Sequence, residues 1–130
     1  MLDSIILCDF DGTITLEDTC VKILRQFVEE NWEQYDTLLE NGQISLHDCM
    51  QIQFGMIKAA KSSIVESLGH IPLREGFGEF VQFCNSQRIQ LIIVSAGLDF
   101  VIEAVLNLHH ITLPFCVKSI NISTFCIEIR

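Results

Sequence analysis

Two acidic side chains stand two positions apart, directly after a short apolar run near the start of the chain. Residues 4–8 read SIILC, and Asp9, Asp11, Gly12 and Thr13 follow in the run DFDGT. Because burying an unpaired charge is costly, such a pair lies at a solvated strand end, on a metal ion or against a substrate. The alternative is an ordinary polar turn, since Asp and Gly are frequent turn residues.

These residue types suit phosphoryl transfer. A carboxylate such as Asp9 can attack phosphorus and form an aspartyl-phosphate that water later cleaves. A second carboxyl such as Asp11 can protonate the leaving alcohol and then activate the water. Gly12 permits close backbone approach, and Thr13 offers a hydroxyl or a turn N–H to phosphate oxygens. Such chemistry needs Mg²⁺, for which Asp9 and Asp11 are the candidate ligands.

A second apolar run also ends on a polar side chain. Residues 91–95 read LIIVS, and Ser95 is followed by Ala96 and Gly97. In open parallel sheets, ligands bind outside the carboxyl ends of the strands, where the acidic pair would also lie. We therefore expect Ser95, Ala96 and Gly97 to bind the phosphoryl oxygens, through the serine hydroxyl and the N–H groups at the start of the next helix.

The spacing of apolar residues predicts the elements that would position these groups. In chain order they are a strand at 4–8, helices through 16–70, a helix from Glu75, a strand at 91–95, a helix after Gly97, and short strands at 115–117 and 122–129. Continuous apolar runs such as the first suit strands buried on both faces. The order predicts an α/β fold, a Rossmann-like parallel sheet with a helical insertion after strand 1.

Polar residues indicate where several of these helices begin and end. Asp18 is a predicted N-cap, and Asn41-Gly42 a predicted helix stop. The stretches 45–48 and 63–66 both fit the capping-box pattern, which predicts a helix start at each. Asp99 is the expected cap of the helix after the second strand.

Composition narrows the function classes. The chain has 130 residues, 8 basic and 17 acidic side chains and a net charge of −9. That balance argues against a broad nucleic-acid or acidic-membrane surface, but not against a small anionic substrate. The sequence contains neither a signal-peptide pattern nor an apolar run of membrane-spanning length. Six cysteines without a CxxC pair favour packing roles in a reducing cytoplasm over a disulfide framework or zinc site.

Two motifs resemble those of the haloacid dehalogenase superfamily. SIILCDFDGTIT, residues 4–15, is similar to its first motif, and LIIVSAG, residues 91–97, resembles its second. With REGFGEFV at 74–81 and VSAGLDF at 94–100, the chain resembles the phosphoserine phosphatase-like branch. Within that branch it looks most like the methionine-salvage phosphatases. The resemblance covers nearly the whole chain.

The resemblance implies roles for three of these residues. Asp9 corresponds to the family nucleophile and a Mg²⁺ ligand. Asp11 corresponds to the general acid/base, and its backbone carbonyl to the second protein ligand of Mg²⁺. Ser95 corresponds to the phosphate-binding residue. The implied function is Mg²⁺-dependent hydrolysis of a small phosphorylated metabolite through an aspartyl-phosphate.

The resemblance also implies a domain division and an incomplete core. Residues 16–70 correspond to the family's helical cap, and residues 1–15 and 71–130 to its α/β core. The family's lysine motif and its acidic GD-x-x-x-D metal motif are not found. Lys118 lies in a stretch that precedes the family's lysine, and Glu128 belongs to a predicted strand.

An incomplete core has consequences for association and activity. Strand 1 would be an exposed apolar edge, and such edges pair with other strands. We therefore expect a homodimer or aggregate through this edge, and weak or no activity. The alternative function is a catalytically inactive remnant that binds phosphate or a protein partner.

Several nearby residues have ordinary structural explanations. Arg25 and Arg74 are of a type that can bind an anionic substrate, but surface ion pairs are their expected role. Trp32 and Phe54 are expected in the interior of the helical segment, and Cys8 is expected to pack beside the nucleophile.

Overall fold

A parallel β-sheet carries the first and second apolar runs side by side. The computed structural model describes residues 4–117, 121–122 and 125–126. Its elements in chain order are β1 (Ser4–Cys8), α1 (Thr19–Phe27), α2 (Glu33–Glu40), α3 (Leu46–Gly55), α4 (Lys61–Ser67), α5 (Phe77–Ser86), β2 (Ile89–Ser95), α6 (Asp99–Leu108), β3 (Phe115–Val117), β4 (Asn121–Ile122) and β5 (Phe125–Cys126). The predicted α/β order is confirmed.

Strands β1, β2 and β3 form one sheet in that order, with both pairs parallel. Cys8 pairs with Ile93 at the end of β1, and Ser95 pairs with Val117 at the end of β2. Asp9 therefore leaves the sheet at the same edge as Ser95, as parallel strands require.

Only one face of this sheet is well covered. Ile6 and Cys8 pack against the core, whereas Ile5, Leu7 and Val94 on the opposite face are 57%, 68% and 43% exposed. The expectation that β1 is buried on both faces is therefore wrong. Right-handed crossovers in a β1-β2-β3 order place both connecting helices on the same face. Among the described strands β1 pairs with β2 alone, and the expectation of an exposed edge stays a prediction.

The helix signals between residues 16 and 70 are largely confirmed. The Asp18 carboxylate accepts a hydrogen bond from the Val21 N–H at 2.9 Å, and α1 starts at the next residue. The Ser45 hydroxyl accepts one from the Asp48 N–H at 3.0 Å and caps α3. Helix α2 ends just before Asn41-Gly42, and Gly42 has the positive φ of +72° that favours glycine there.

Two predicted caps are wrong. Helix α4 begins at Lys61 after Ala60, so Ser63 lies inside the helix. A serine three residues before a glutamate can also occur within a helix, which this pattern does not exclude. Asp99 is the first residue of α6 and Leu98 precedes it as the cap, while the Asp99 carboxylate accepts from the Phe100 N–H at 2.6 Å.

The single strand predicted over 122–129 is also not observed. Within the described residues β4 and β5 are two separate short strands that pair antiparallel, with Ile122 opposite Phe125. Lys118 and the end of the predicted strand, including Glu128, lie outside the described residues.

One hydrophobic cluster joins the helical segment to the sheet. It includes Phe10 from the loop after β1, Phe54 and Ile64 from the helical segment, and Leu91 and Ile93 from β2. A single antiparallel bridge between Thr15 and Leu73 brings the two ends of the helical segment together. The described residues from 16 to 70 contain helices and no strand. The division into an α/β core and a helical cap stays a prediction.

Trp32 and Phe54 are 7% and 1% exposed, as expected for interior residues. Changing either to alanine leaves a cavity, so we expect a loss of about 3–5 kcal/mol in the free energy of unfolding. Urea denaturation followed by circular dichroism measures this loss. Phe83 is 54% exposed and provides the matched control, for which Phe83→Ala should cost under about 1 kcal/mol. Equal losses at Phe54 and Phe83 would contradict the burial argument.

Candidate active site

The loop after β1 is a tight turn built around one carbonyl group. The Phe10 carbonyl accepts hydrogen bonds from the N–H groups of Thr13, Ile14 and Thr15 at 3.2, 2.9 and 3.2 Å. Gly12 has a φ of +71°, which side-chain-bearing residues rarely adopt. The glycine in the motif is therefore required by the shape of the turn.

This turn holds the Asp9 carboxylate in an exposed position. Its Oδ1 accepts from the Phe10 N–H at 2.8 Å, and its Oδ2 accepts from the Thr13 hydroxyl at 3.3 Å. Asp9 is oriented but still open to solvent. The Thr13 hydroxyl donates to Asp9 here, and its expected contact with phosphate oxygens stays a prediction. Partial burial raises the pKa of the neighbouring Cys8 thiol, aided by the charge of Asp9, which agrees with a packing role.

Asp11 is more enclosed than Asp9. Its Oδ1 accepts from the Thr19 N–H at 2.8 Å and from the Thr19 hydroxyl at 2.5 Å. Burial raises the pKa of the Asp11 carboxyl, the Thr19 hydrogen bonds lower it by less, and the charges of Asp18 and Asp9 raise it further. A carboxyl with a raised pKa keeps its proton to higher pH, which suits a general acid.

The end of β2 approaches Asp11 closely. Ser95 is buried, and its Oγ accepts from the Gly97 N–H at 3.0 Å. A Cβ atom on Gly97 would lie 3.1 Å from Asp11 Oδ2, 3.2 Å from Cys20 Sγ and 3.2 Å from Ser95 Oγ. Glycine at position 97 therefore lets the polar groups of two strand ends and of α1 meet.

These groups open into a cavity of about 310 Å³ between the sheet edge and the helical segment. Its lining includes Asp9, Asp11, Ser95, Ala96, Gly97, Asp18, Cys20, Trp32, Asp36, Leu46, Met50, Gln53 and Phe54. The structure thus brings five of the seven predicted site residues to one cavity. Gly12 and Thr13 lie in the adjacent turn, and Thr13 lines a neighbouring groove.

The cavity is strongly acidic. Asp9, Asp11, Asp18 and Asp36 line it, and its described lining includes neither lysine nor arginine. Asp36 is held by the Gln53 side-chain amide, which donates to it at 2.8 Å. An anionic substrate would therefore need a cation in the same place.

The oxygen donors in this cavity fit Mg²⁺, which binds through carboxylates and water. Metal-ligating atoms of Asp11, Asp18 and Cys20 lie within 4.8 Å of one another. Burial raises the pKa of the Cys20 thiol well above its ordinary value, and sulfur is a poor ligand for Mg²⁺, which prefers oxygen. The exposed carboxylate of Asp9 and the oxygens of Asp11 are the better donors.

Arg74 has a role that the sequence analysis missed. Its guanidinium donates from Nε to the Thr13 carbonyl and from Nη2 to the Gly12 carbonyl, both at 2.8 Å. Its backbone N–H donates to the Ile14 carbonyl, also at 2.8 Å. The ion pairs found among the described residues involve neither Arg74 nor Arg25, so the expected surface pairing is not observed. Arg74 instead fixes the turn that carries Asp9.

Comparison with known proteins identifies the family. A profile of haloacid dehalogenase-like hydrolases matches residues 6–115, and the chain belongs to this family. The resemblance seen in the two motifs is therefore confirmed.

Curated relatives narrow the resemblance. The 2-hydroxy-3-keto-5-methylthiopentenyl-1-phosphate phosphatase of Brevibacillus brevis is 35% identical over 104 residues, which covers 78% of this chain and 47% of the relative. The protein of the same name from Geobacillus thermodenitrificans is 37% identical over 105 residues, covering 79% and 48%. The chain spans about half the length of the curated relatives it matches.

Solved structures share the fold. A haloacid dehalogenase family hydrolase from Salmonella enterica serovar Typhi superposes with a TM-score of 0.75 at 16% identity, over 91% of this chain and 42% of that one. A phosphoserine phosphatase bearing a phospho-aspartyl intermediate analogue gives 0.71 at 18% identity, over 98% and 62%. None of the described helices has the length and apolarity needed to cross a bilayer.

Arg74→Lys tests whether the two guanidinium hydrogen bonds stabilise the turn after β1. Lysine keeps the charge but cannot donate to two carbonyls in a fixed fork, so we expect the free energy of unfolding to fall by about 1–2 kcal/mol. Chemical denaturation measures the change. Arg25→Lys is the matched control, because Arg25 is exposed on α1, and it should alter stability by less than about 0.5 kcal/mol. If Arg74→Lys unfolds with the same free energy as the parent protein, the bonds from Arg74 do not stabilise the turn.

Proposed function

We propose that the chain carries the nucleophile of a phosphomonoester hydrolase that acts on a small phosphorylated metabolite. The observation that supports this most is the meeting of Asp9, Asp11, Ser95 and Gly97 at one acidic cavity beyond the strand ends. The family and the phosphatase names of the curated relatives agree with it.

In the proposed reaction Asp9 attacks phosphorus and forms an aspartyl-phosphate as the bond to the substrate oxygen breaks. Asp11 gives its proton to the departing alkoxide. The resulting Asp11 carboxylate then takes a proton from water, which attacks phosphorus and releases Asp9 and inorganic phosphate. The Thr13 hydroxyl and the Phe10 N–H orient Asp9 for the attack.

Ser95 is suited to hold the phosphoryl group. Its oxygen already accepts from the Gly97 N–H, so its own proton is available to donate to a phosphoryl oxygen. Mg²⁺, held by the Asp9 carboxylate and the Asp11 carbonyl, would neutralise charge between the carboxylates and the phosphate. The phosphate-binding role of Ser95 and the Mg²⁺-binding role of Asp9 and Asp11 are both proposed.

The opposite wall of the cavity suggests the substrate class. Leu46 and Met50 supply accessible apolar side chains from the helical segment at this cavity, with the buried Trp32 and Phe54 behind them. A phosphorylated metabolite with an apolar tail would place its phosphate at the strand ends and its tail on this wall. A methylthiopentenyl phosphate, as in the names of the curated relatives, has this character.

A second function is a binding remnant without turnover. It is favoured by one observation, the four aspartates around a cavity whose described lining has no basic side chain. Repulsion between carboxylates and phosphate would raise the barrier to attack. A reducing cytoplasm suits either function, because Cys8, Cys20, Cys49 and Cys84 form no disulfide within the described part of the chain.

Release of phosphate from p-nitrophenyl phosphate in the presence of Mg²⁺ separates the two functions. We expect slow turnover by the 130-residue chain. Asp9→Asn should abolish it because an amide is a poor nucleophile, and Asp11→Asn should lower it by about 10²–10⁴-fold. Asp48→Asn, on the exposed face of α3, is the matched control and should leave turnover unchanged. Turnover that survives Asp9→Asn would show that Asp9 is not the nucleophile.

We also propose that the chain self-associates through β1. This strand has an unpaired edge among the described residues, and Ile5 and Leu7 are exposed beside it. Antiparallel pairing of two β1 strands would satisfy N–H and C=O groups and place the exposed side chains of the two copies next to each other. Size-exclusion chromatography with light scattering should show a dimer or larger species. Leu7→Lys should shift it toward monomer, whereas Leu46→Lys, exposed on α3, should not. A monomeric parent chain would defeat the proposal.

A further inference from the structure

The two short hydrogen bonds to the Asp11 carboxylate both come from one residue of another element. Thr19 is the first residue of α1 and is 1% exposed. Its backbone N–H and its hydroxyl both donate to Asp11 Oδ1, at 2.8 and 2.5 Å. The N–H is one of the donors that a helix leaves unpaired in its first turn, while Asp18 caps the Val21 N–H of the same turn.

This arrangement makes the two oxygens of Asp11 inequivalent. Oδ1 is occupied by two donors from Thr19. Oδ2 is turned toward the end of β2, where the position of a Cβ on Gly97 would lie 3.1 Å from it. The Cys20 thiol lies 4.0 Å from Oδ2 and adds only a weak contact. Oδ2 is thus the oxygen that faces the region where Ser95 would hold a phosphoryl group.

We propose that Thr19 is the positioning residue of Asp11. It fixes the rotation of the carboxyl so that Oδ2 points at the reacting group, and it makes that orientation depend on the seating of α1. The catalytic consequence rests on the proposed function, whereas the orientation itself does not. Thr19 touches neither substrate nor phosphate in this proposal and acts through Asp11 alone.

The hydroxyl and the N–H can be separated by substitution. Thr19→Val has nearly the same shape and keeps the N–H, but it loses the hydroxyl donor. Thr19→Ser keeps the hydroxyl and loses only a methyl group. Thr37→Val is the matched control, because Thr37 is also in a helix but is exposed. Thermal unfolding of each variant checks that the comparison is made between folded proteins.

The first measurement is independent of catalysis. In ¹⁵N-labelled protein, the Thr19 amide proton should resonate downfield because it donates to a carboxylate. Asp11→Ala should move this resonance upfield by more than any other amide of α1. Asp36→Ala, which removes another aspartate of the cavity, should leave it in place. A Thr19 resonance that does not respond to Asp11→Ala would overturn the positioning contact.

The second measurement compares kcat/KM for two aryl phosphates. Phenol is a weaker acid than p-nitrophenol, so phenyl phosphate depends more on protonation of its leaving group. Thr19→Val should lower kcat/KM for phenyl phosphate at least about tenfold, and for p-nitrophenyl phosphate by much less. Thr19→Ser should restore both values to within about threefold of the parent. A residue that only supported the fold would lower both substrates equally, and that result would overturn the proposal.

The Asp9→Asn protein sets the background for both substrates. If the parent chain does not exceed this background, the proposed hydrolase function fails, and the amide resonance alone decides whether Thr19 positions Asp11. If the parent is active and Thr19→Val matches Thr37→Val on both substrates, the hydrolase function stands and the role of Thr19 is wrong.

Discussion

The parallel pairing of β1 with β2 is the constraint on which the candidate site depends. The register that sets Cys8 opposite Ile93 brings the chain out of both strands at one edge. A shift of one residue would turn each side chain of β1 to the other face. Asp9 and Asp11 would then leave the sheet at a different height from Ser95, and the approach of Gly97 to Asp11 would be lost.

Three separate sets of hydrogen bonds hold the turn with Asp9 and Asp11 in the position that the β1–β2 register gives it. The Phe10 carbonyl collects the N–H groups of the turn, and Arg74 binds carbonyls on its outer side. Thr19 then links the turn to α1. Each contact draws on a different part of the chain, so the geometry around Asp9 and Asp11 reflects the sheet, the helical segment and the chain after it. Repulsion between charges opposes this geometry, because four aspartates line the same cavity. Their mutual repulsion makes the site depend on cations for any anionic ligand.

Part of this organisation could be predicted from the sequence because it is local. Asp18 and Ser45 cap helices through bonds that span three residues, and Gly12 is dictated by the conformation of a single turn. The proximity of Asp9 to Ser95 could be predicted because the carboxyl ends of neighbouring parallel strands lie at the same edge of a sheet.

Other features depended on contacts that the sequence does not encode locally. Arg74 reaches a carbonyl 61 positions earlier in the chain, and no periodicity signals such a contact. Thr19 resembles any helix-start threonine until the turn before it is placed. The exposure of Leu7 could not be predicted from the sequence. An apolar run indicates that a strand favours burial, but it does not show whether a helix covers each face of the sheet. Ser63 satisfied a short pattern that is too permissive to locate a helix start.

The bridge between Thr15 and Leu73 has a consequence for how such proteins diversify. It brings the two ends of the helical segment side by side at the rim of the sheet. Closing a loop costs entropy that grows only logarithmically with loop length, and doubling the length adds about 0.6 kcal/mol. An inserted segment of another size can therefore join the same two anchor points at little cost. Evolution can exchange the helices that line the cavity and leave the strand ends on its other side unchanged.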